Sequence, residues 1–186
     1  MHRIEFRMAS MLAATLLAAL PAEAQVRRER GSEFVVKLGD TAPRFGFVTS
    51  AGDTLDTDFL HGQVVVLQFA ASWCPFSAAQ MWDHQSAVWA SHRSDARFSM
   101  YIVCEDQPEG RDAFARLIAE EGIEIPYIVD DEERIYRLFV TPNGSVTRTV
   151  VIAPDRTIAY LSDRHSRRGV RQLRRTVRRL LSAASR

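Results

Sequence analysis

The sequence predicts a single α/β domain, a mixed central sheet flanked by helices, with an N-terminal hairpin extension. Three observations lead there. The run Val64-Val65-Val66-Leu67-Gln68-Phe69 is apolar and rich in β-branched residues, as expected of a strand buried on both faces. A helix-period segment follows it, then a second apolar run from Phe98 to Val103, which makes a strand–helix–strand unit with parallel strands. Near the C-terminus, Thr147 to Ile152 and Ile158 to Leu161 flank Pro154-Asp155, a hairpin pattern that adds antiparallel strands to the parallel ones.

In chain order, the first 24 residues read as a targeting segment rather than as fold. Arg3 and Arg7 give a basic start, Ala9 to Leu20 is apolar and free of charge, and Ala22-Glu23-Ala24 is a small-x-small cleavage site. The expectation is a signal peptide over 1–24, a mature chain from Gln25, and a periplasmic or secreted location. The apolar run is short for a membrane span, so no stable insertion is expected after cleavage. A polar leader over 25–38 precedes the domain at 39–182. There, Phe45 to Val48 and Thr54 to Asp58 flank Ser50-Ala51-Gly52-Asp53 as the hairpin extension. After the central strand, Pro75 to Ser91 is expected to be helical with Ala78, Met81, Trp82, Val88 and Trp89 inward. Arg111 to Glu121 forms a helix on Phe114, Leu117 and Ile118, Ile125 to Val129 a short strand, and Glu132 to Phe139 a further helix.

The net charge of +1 conceals an asymmetry. Residues 164–186 hold nine arginines and no acid, whereas 25–163 hold thirteen basic and twenty-one acidic residues. Val170, Leu173, Val177, Leu180 and Leu181 recur within the basic stretch at helical spacing, so it reads as a terminal helix with one face on the domain and a solvated arginine face. It carries no aromatic residue on which bases could stack, and no nucleic-acid partner is expected. His61, His84, His92 and His165 show no ligand spacing, neither cysteine has a histidine at finger spacing, and no phosphate-cradling glycine loop occurs, so no metal or cofactor is expected.

The chemistry-bearing motif is Ser72-Trp73-Cys74-Pro75-Phe76-Ser77, directly after the central strand. A thiol at a strand-to-helix junction lies near the free N–H groups of the helix start, where negative charge is favoured and a thiolate is supplied. Pro75 suits a first helical turn because its missing donor costs nothing there. Export implies an oxidising compartment, but two cysteines, Cys74 and Cys104, are too few for a disulfide scaffold and are weighed individually as chemistry.

With Gly39-Asp40-Thr41-Ala42-Pro43-Arg44-Phe45 and then Val64 to Trp73-Cys74-Pro75, the chain resembles the exported TlpA/ResA-type thioredoxin-like proteins and their redoxin relatives, from about residue 39 to 181. The resemblance implies a thioredoxin-like fold and thiol–disulfide exchange. It also marks departures. Ser77 replaces the family's resolving cysteine, giving a Cys-Pro-Phe-Ser variant of the CxxC motif. Gln80 stands where many relatives carry a glutamate, and Gln68 where thioredoxins proper bury an acid. Thr147 falls at the usual cis-proline position with Arg148 beside it, and Pro142 lies five residues too early to replace it.

The expected function is therefore exchange at a single thiolate, Cys74, acting on disulfide- or thiol-containing proteins or small thiols and released by an external thiol. Trp73, Pro75, Phe76 and Thr147 are the candidate substrate-binding residues. Ser77 can donate a hydrogen bond to the thiolate but cannot close a disulfide. Cys104, at the end of a strand parallel to the one before Cys74, is either a half-buried small hydrophobe or an unusual resolving partner. Arg148 either stabilises the thiolate or pairs with an acid. Two other functions remain open: a redox-inactive peptide-binding module, and a one-cysteine peroxidase. Against the peroxidase stands Ala71, where peroxiredoxins place a threonine.

Overall fold

The computed structural model describes residues 33–183 apart from Phe59 and Asn143, so the expected signal peptide and most of the polar leader lie outside the described residues. Strand β3 (Val64–Ala70) is buried along its whole length. It sits at the centre of a five-stranded sheet of order β5-β4-β3-β6-β7. On one side it pairs in parallel with β4 (Phe98–Cys104), which pairs in parallel with β5 (Tyr127–Val129). On the other side it pairs antiparallel with β6 (Thr149–Ile152), which continues into β7 (Ile158–Ser162). The mixed sheet expected from the sequence is present. The hairpin extension is the separate pair β1 (Gly46–Val48) and β2 (Thr54–Asp56).

Alternation along β3 divides the core in two. Val65, Leu67 and Phe69 face a cluster with Phe47, Tyr101, Tyr136 and Phe139, beneath the hairpin and the short helix α4 (Tyr136–Phe139). Val64, Val66 and Ala70 face the other cluster, closed by three elements: the helix that follows β3, α3 (Arg111–Glu120), and the terminal α5 (Arg167–Ala183). Helix α5 lays Leu173, Val177 and Leu181 on the sheet and leaves its arginines outside, as its periodicity predicts.

Two differences from the sequence expectation matter for the site. The helix after β3 begins at Ser77, not Pro75: α1 (Ser77–His84) runs through a π-helical turn (Gln85–Trp89) into α2 (Ala90–His92). Its inward face is Ser77, Gln80, Met81, His84 and Val88, whereas Trp82, expected inside, is 54% exposed. Polar partners hold Gln80 and His84 inside, and the π turn changes the phase of the helix beyond them. The second difference is at the N-terminus. Residues Glu33 to Val36, assigned to the leader, are seated on the domain: Phe34 bridges Val140, Val35 N–H donates to the Phe139 carbonyl at 2.8 Å, and Val36 is buried.

Candidate active site

β3 delivers the chain to the carboxyl edge of the parallel strands, where open α/β sheets bind ligands. The loop Ala71–Phe76 winds there as two successive turns: Cys74 N–H donates to the Ala71 carbonyl at 3.2 Å, and the Cys74 carbonyl accepts from Ser77 N–H at 3.1 Å. Cys74 thus precedes the first turn of α1 and is partly exposed, the accessible one of the two free thiols. Trp73 and Phe76 stand out beside it, 66% and 62% exposed, and Pro75 is exposed between them.

Ser77 is fully buried. Its Oγ accepts the Ala71 N–H at 3.1 Å, so the hydroxyl closes the underside of the loop from the start of the helix. A second anchor comes from the end of β4. Buried Asp106 accepts Ser72 N–H on Oδ2 at 2.7 Å and the Ser72 hydroxyl on Oδ1 at 2.5 Å. The Cys104 thiol donates to the same Oδ2 at 3.7 Å. Cys104 pairs in register with Ala70 inside the core, and burial pushes its thiol up to about 12, which keeps it protonated in the physiological range. The two cysteines are therefore linked only indirectly, through Asp106 and the Ser72 turn.

Thr147 is buried in the turn Val146–Arg148, which Phe69 N–H ties to β3 by donating to the Arg148 carbonyl at 3.0 Å. It occupies the edge of the sheet to which β3 carries Cys74. Arg148 is 1% exposed, and its guanidinium is paired with the Glu33 carboxylate and lies 5.8 Å from the Phe34 ring centroid. Its contacts run to the N-terminal segment rather than to Cys74. Among the described residues Nε and Nη1 have no hydrogen-bond partner, and burial lowers the guanidinium's affinity for its proton.

Beneath the loop runs a polar chain that the sequence did not reveal as a unit. His84 Nδ1 lies 2.8 Å from Gln68 Oε1, Gln68 Nε2 donates to Gln80 Oε1 at 3.5 Å, and Gln80 Nε2 donates to the Thr149 hydroxyl at 3.3 Å. All four are buried. Desolvation drives His84 down to about 3, so the imidazole is neutral and, with two amides that cannot titrate, the chain fixes geometry without storing charge. The Gln80/His84 spacing of four on a helix was the one signal that could have exposed it. Asp106 and Glu105 were also missed, although they directly follow a strand that ends at the site edge.

The family model for the AhpC/TSA family matches residues 38–161, about two thirds of the chain. The chain belongs to the AhpC/TSA family. This AhpC/TSA domain also resembles several solved structures. A candidate protein disulfide isomerase from Bacteroides thetaiotaomicron superposes with a TM-score of 0.76 at 24% identity, covering 81% of this chain and 93% of the other. A thiol:disulfide interchange protein of the thioredoxin family from Chlorobium tepidum gives 0.61 at 19% identity, with 78% and 99% covered. A secreted Mycobacterium tuberculosis disulfide oxidoreductase homologous to E. coli DsbE gives 0.59 at 18%, with 73% and 96% covered. No curated protein matches the chain. At these identities the likeness shows the fold: the AhpC/TSA domain has a thioredoxin-like fold of the kind found in thiol–disulfide oxidoreductases.

Proposed function

We propose that the protein carries out thiol–disulfide exchange through Cys74 alone. One observation carries this reading: of the two thiols, the accessible one stands at the loop that the fold presents, while the resolving position holds a buried serine already bonded to Ala71. The Cys74 thiolate attacks one sulfur of a partner disulfide, forming a mixed disulfide and expelling the other sulfur as thiolate. With no second thiol alongside, release needs an external thiolate. Its attack on the partner's sulfur returns Cys74 as thiolate and leaves the external thiol joined to the partner. Trp73, Pro75 and Phe76 offer the exposed surface for the partner, a disulfide- or thiol-containing protein or a small thiol, and the turn that buries Thr147 lies at the same edge of the sheet. Residues 1–24 act as a cleaved signal peptide and the stretch from Gln25 as a leader to a domain on which Glu33 to Val36 are already seated, giving a periplasmic or secreted location. No helix among the described residues is long and apolar enough to cross a membrane.

Two alternatives are decided by the same experiment. A binding module would use exposed Trp73 and Phe76 without exchanging disulfides. A peroxidase using Arg148 would need that charge near Cys74, and the pairing of Arg148 with Glu33 speaks for exchange instead. Incubation with a disulfide-bonded peptide, followed by mass spectrometry, is expected to trap a mixed disulfide on Cys74 that persists until an external thiol is added. Ser77→Cys should release the peptide faster, by on the order of a hundredfold or more, and acquire an intramolecular disulfide. If neither protein traps the peptide, the exchange reading fails in favour of the module. Peroxide consumption lost in Cys74→Ser and Arg148→Met would establish the peroxidase, and a native Cys74–Cys104 disulfide would move the resolving role to Cys104.

A further inference from the structure

Between Arg167 and Arg179, helix α5 carries seven arginines and no acid, and all seven are exposed. At 3.6 residues per turn they fall within an arc of about 140° over a length of about 18 Å. Among the described residues none of them meets a carboxylate at ion-pair distance. Asp95, which lines a depression beside Arg178, is already held by Arg97 at 2.7 Å. Arg167/Arg171, Arg171/Arg175, Arg174/Arg178 and Arg175/Arg179 are like-charge pairs four residues apart, which oppose helix formation, and Arg167 and Arg168 face the positive end of the helix dipole. The isolated fold gains nothing from this arrangement. The apolar stripe is spent on the sheet through Leu173, Val177 and Leu181, so the arginine face is left without an acidic partner among the described residues.

We propose that the arginine face of α5 docks this protein on the surface of an anionic phospholipid bilayer. Three features favour lipid over other polyanions. Arg175, Arg178, Arg179 and Ser182 surround a shallow depression of about 270 Å³, where three guanidinium groups and a hydroxyl suit the phosphate of a headgroup. The face is the outer side of a single helix, interrupted only by shallow depressions. Lipid headgroups rearrange around such a shape, whereas a protein partner would have to be complementary to it. His165, just ahead of α5, bonds Asp83 at 3.2 Å, which brings the start of the stripe to the helix that exposes Trp82, and an exposed indole is favoured at a membrane–water interface. The stripe runs from the Cys74 edge of the sheet, where β7 ends opposite Thr149, to the far edge, where Arg97 donates to the Leu181 carbonyl. Docking along it leaves Cys74 at one end, uncovered and beside the membrane.

Co-sedimentation tests this with the full chain and two kinds of vesicle: phosphatidylcholine alone, and equal parts phosphatidylcholine and phosphatidylglycerol. Binding is expected to favour the anionic vesicles, and that preference is expected to vanish at about 1 M salt, where screening acts over about 3 Å. Arg175→Gln/Arg178→Gln/Arg179→Gln should weaken binding to the anionic vesicles on the order of a hundredfold. Arg3, Arg7 and the apolar run Ala9 to Leu20 are common to wild type and variant, so the comparison between the two proteins reports the arginine face. Without lipid, the same variant should melt at a higher temperature, because the repulsion within α5 is relieved. That rise, together with lost binding, separates a docking role from a structural one. Equal binding to both vesicles, unchanged binding by the triple variant, or displacement by soluble glycerol phosphate would overturn the proposal, as would tighter binding to an acidic polypeptide or to duplex DNA than to the anionic vesicles.

Discussion

Arg148 shows most sharply how a residue's role depends on what folds over it. A guanidinium almost wholly out of water, with Nε and Nη1 unpaired among the described residues, has the Glu33 carboxylate as its ion-pair partner. Removing the carboxylate and removing the charge should then act in opposite directions. Glu33→Gln leaves the buried charge uncompensated and is expected to cost about 1–3 kcal/mol in urea unfolding. Arg148→Met removes the charge and its unpaired donors together, and should leave stability within about 1 kcal/mol of wild type or raise it. It should also leave the rate of Cys74 alkylation unchanged, since Arg148 reaches the N-terminal segment rather than the thiol. The places of Cys74 and Ser77 at the end of β3 were legible in the sequence, because a strand pattern places what directly follows it, whereas Cys104, expected to be half-buried or resolving, is fully buried. The partner of Arg148 was not, because no local pattern links Glu33 to the turn before β6.

At the scale of elements, the site loop is held from two sides, by α1 through Ser77 and by the end of β4 through Asp106. The second hold depends on close packing. A methyl group at Gly110, on the 3₁₀ turn Pro108–Gly110, would lie 2.7 Å from Asp106 Oδ1 and 3.2 Å from its Cβ. Gly110→Ala should therefore push Asp106 off Ser72. The expected result is a loss of about 1–3 kcal/mol and faster hydrogen exchange at the Ser72 amide, read by NMR, with the amides of β3 still protected. The order and type of the elements followed from periodicity, and the boundaries moved by a few residues. The rotation of α1 did not follow. The helical pattern pointed Trp82 inward, but four polar groups on β3, α1 and β6 satisfy one another under the loop, and the π turn re-phases the helix. That arrangement draws on three separate stretches of chain, so no single stretch carries its signature.

For the whole molecule, two buried groups set the pH range of stability from opposite sides. Burial, reinforced by Asp130, Glu133 and Asp106, raises Glu105 from 4.5 to about 9. The folded protein keeps that proton after the unfolded chain has released it, so stability is complete below about pH 4.5 and is lost as pH rises toward 9. His84 acts in the other direction: the folded form stays neutral down to about 3 while the unfolded chain takes up a proton below 6.5, so stability falls as pH drops through that interval. Glu105→Gln should flatten the alkaline decline in thermal melts recorded from pH 5 to 9 and leave the acid side as it is. An unchanged alkaline limb would place the decline elsewhere. The bridges at the margins of the sheet have a different consequence. Thr49 pairs with Ile128, and Ser50 N–H donates to the Tyr127 carbonyl, along the outer side of β5. Gly39 and Asp40 bond both the carbonyl and the N–H of Ile158 where β7 begins. An uncovered strand margin is a template on which further chains can stack into aggregates. The stretch ahead of β3, remote from the thiol chemistry, thus works as a pair of guards: it occupies backbone groups that would otherwise recruit other copies and lets a sheet of five strands stop at five.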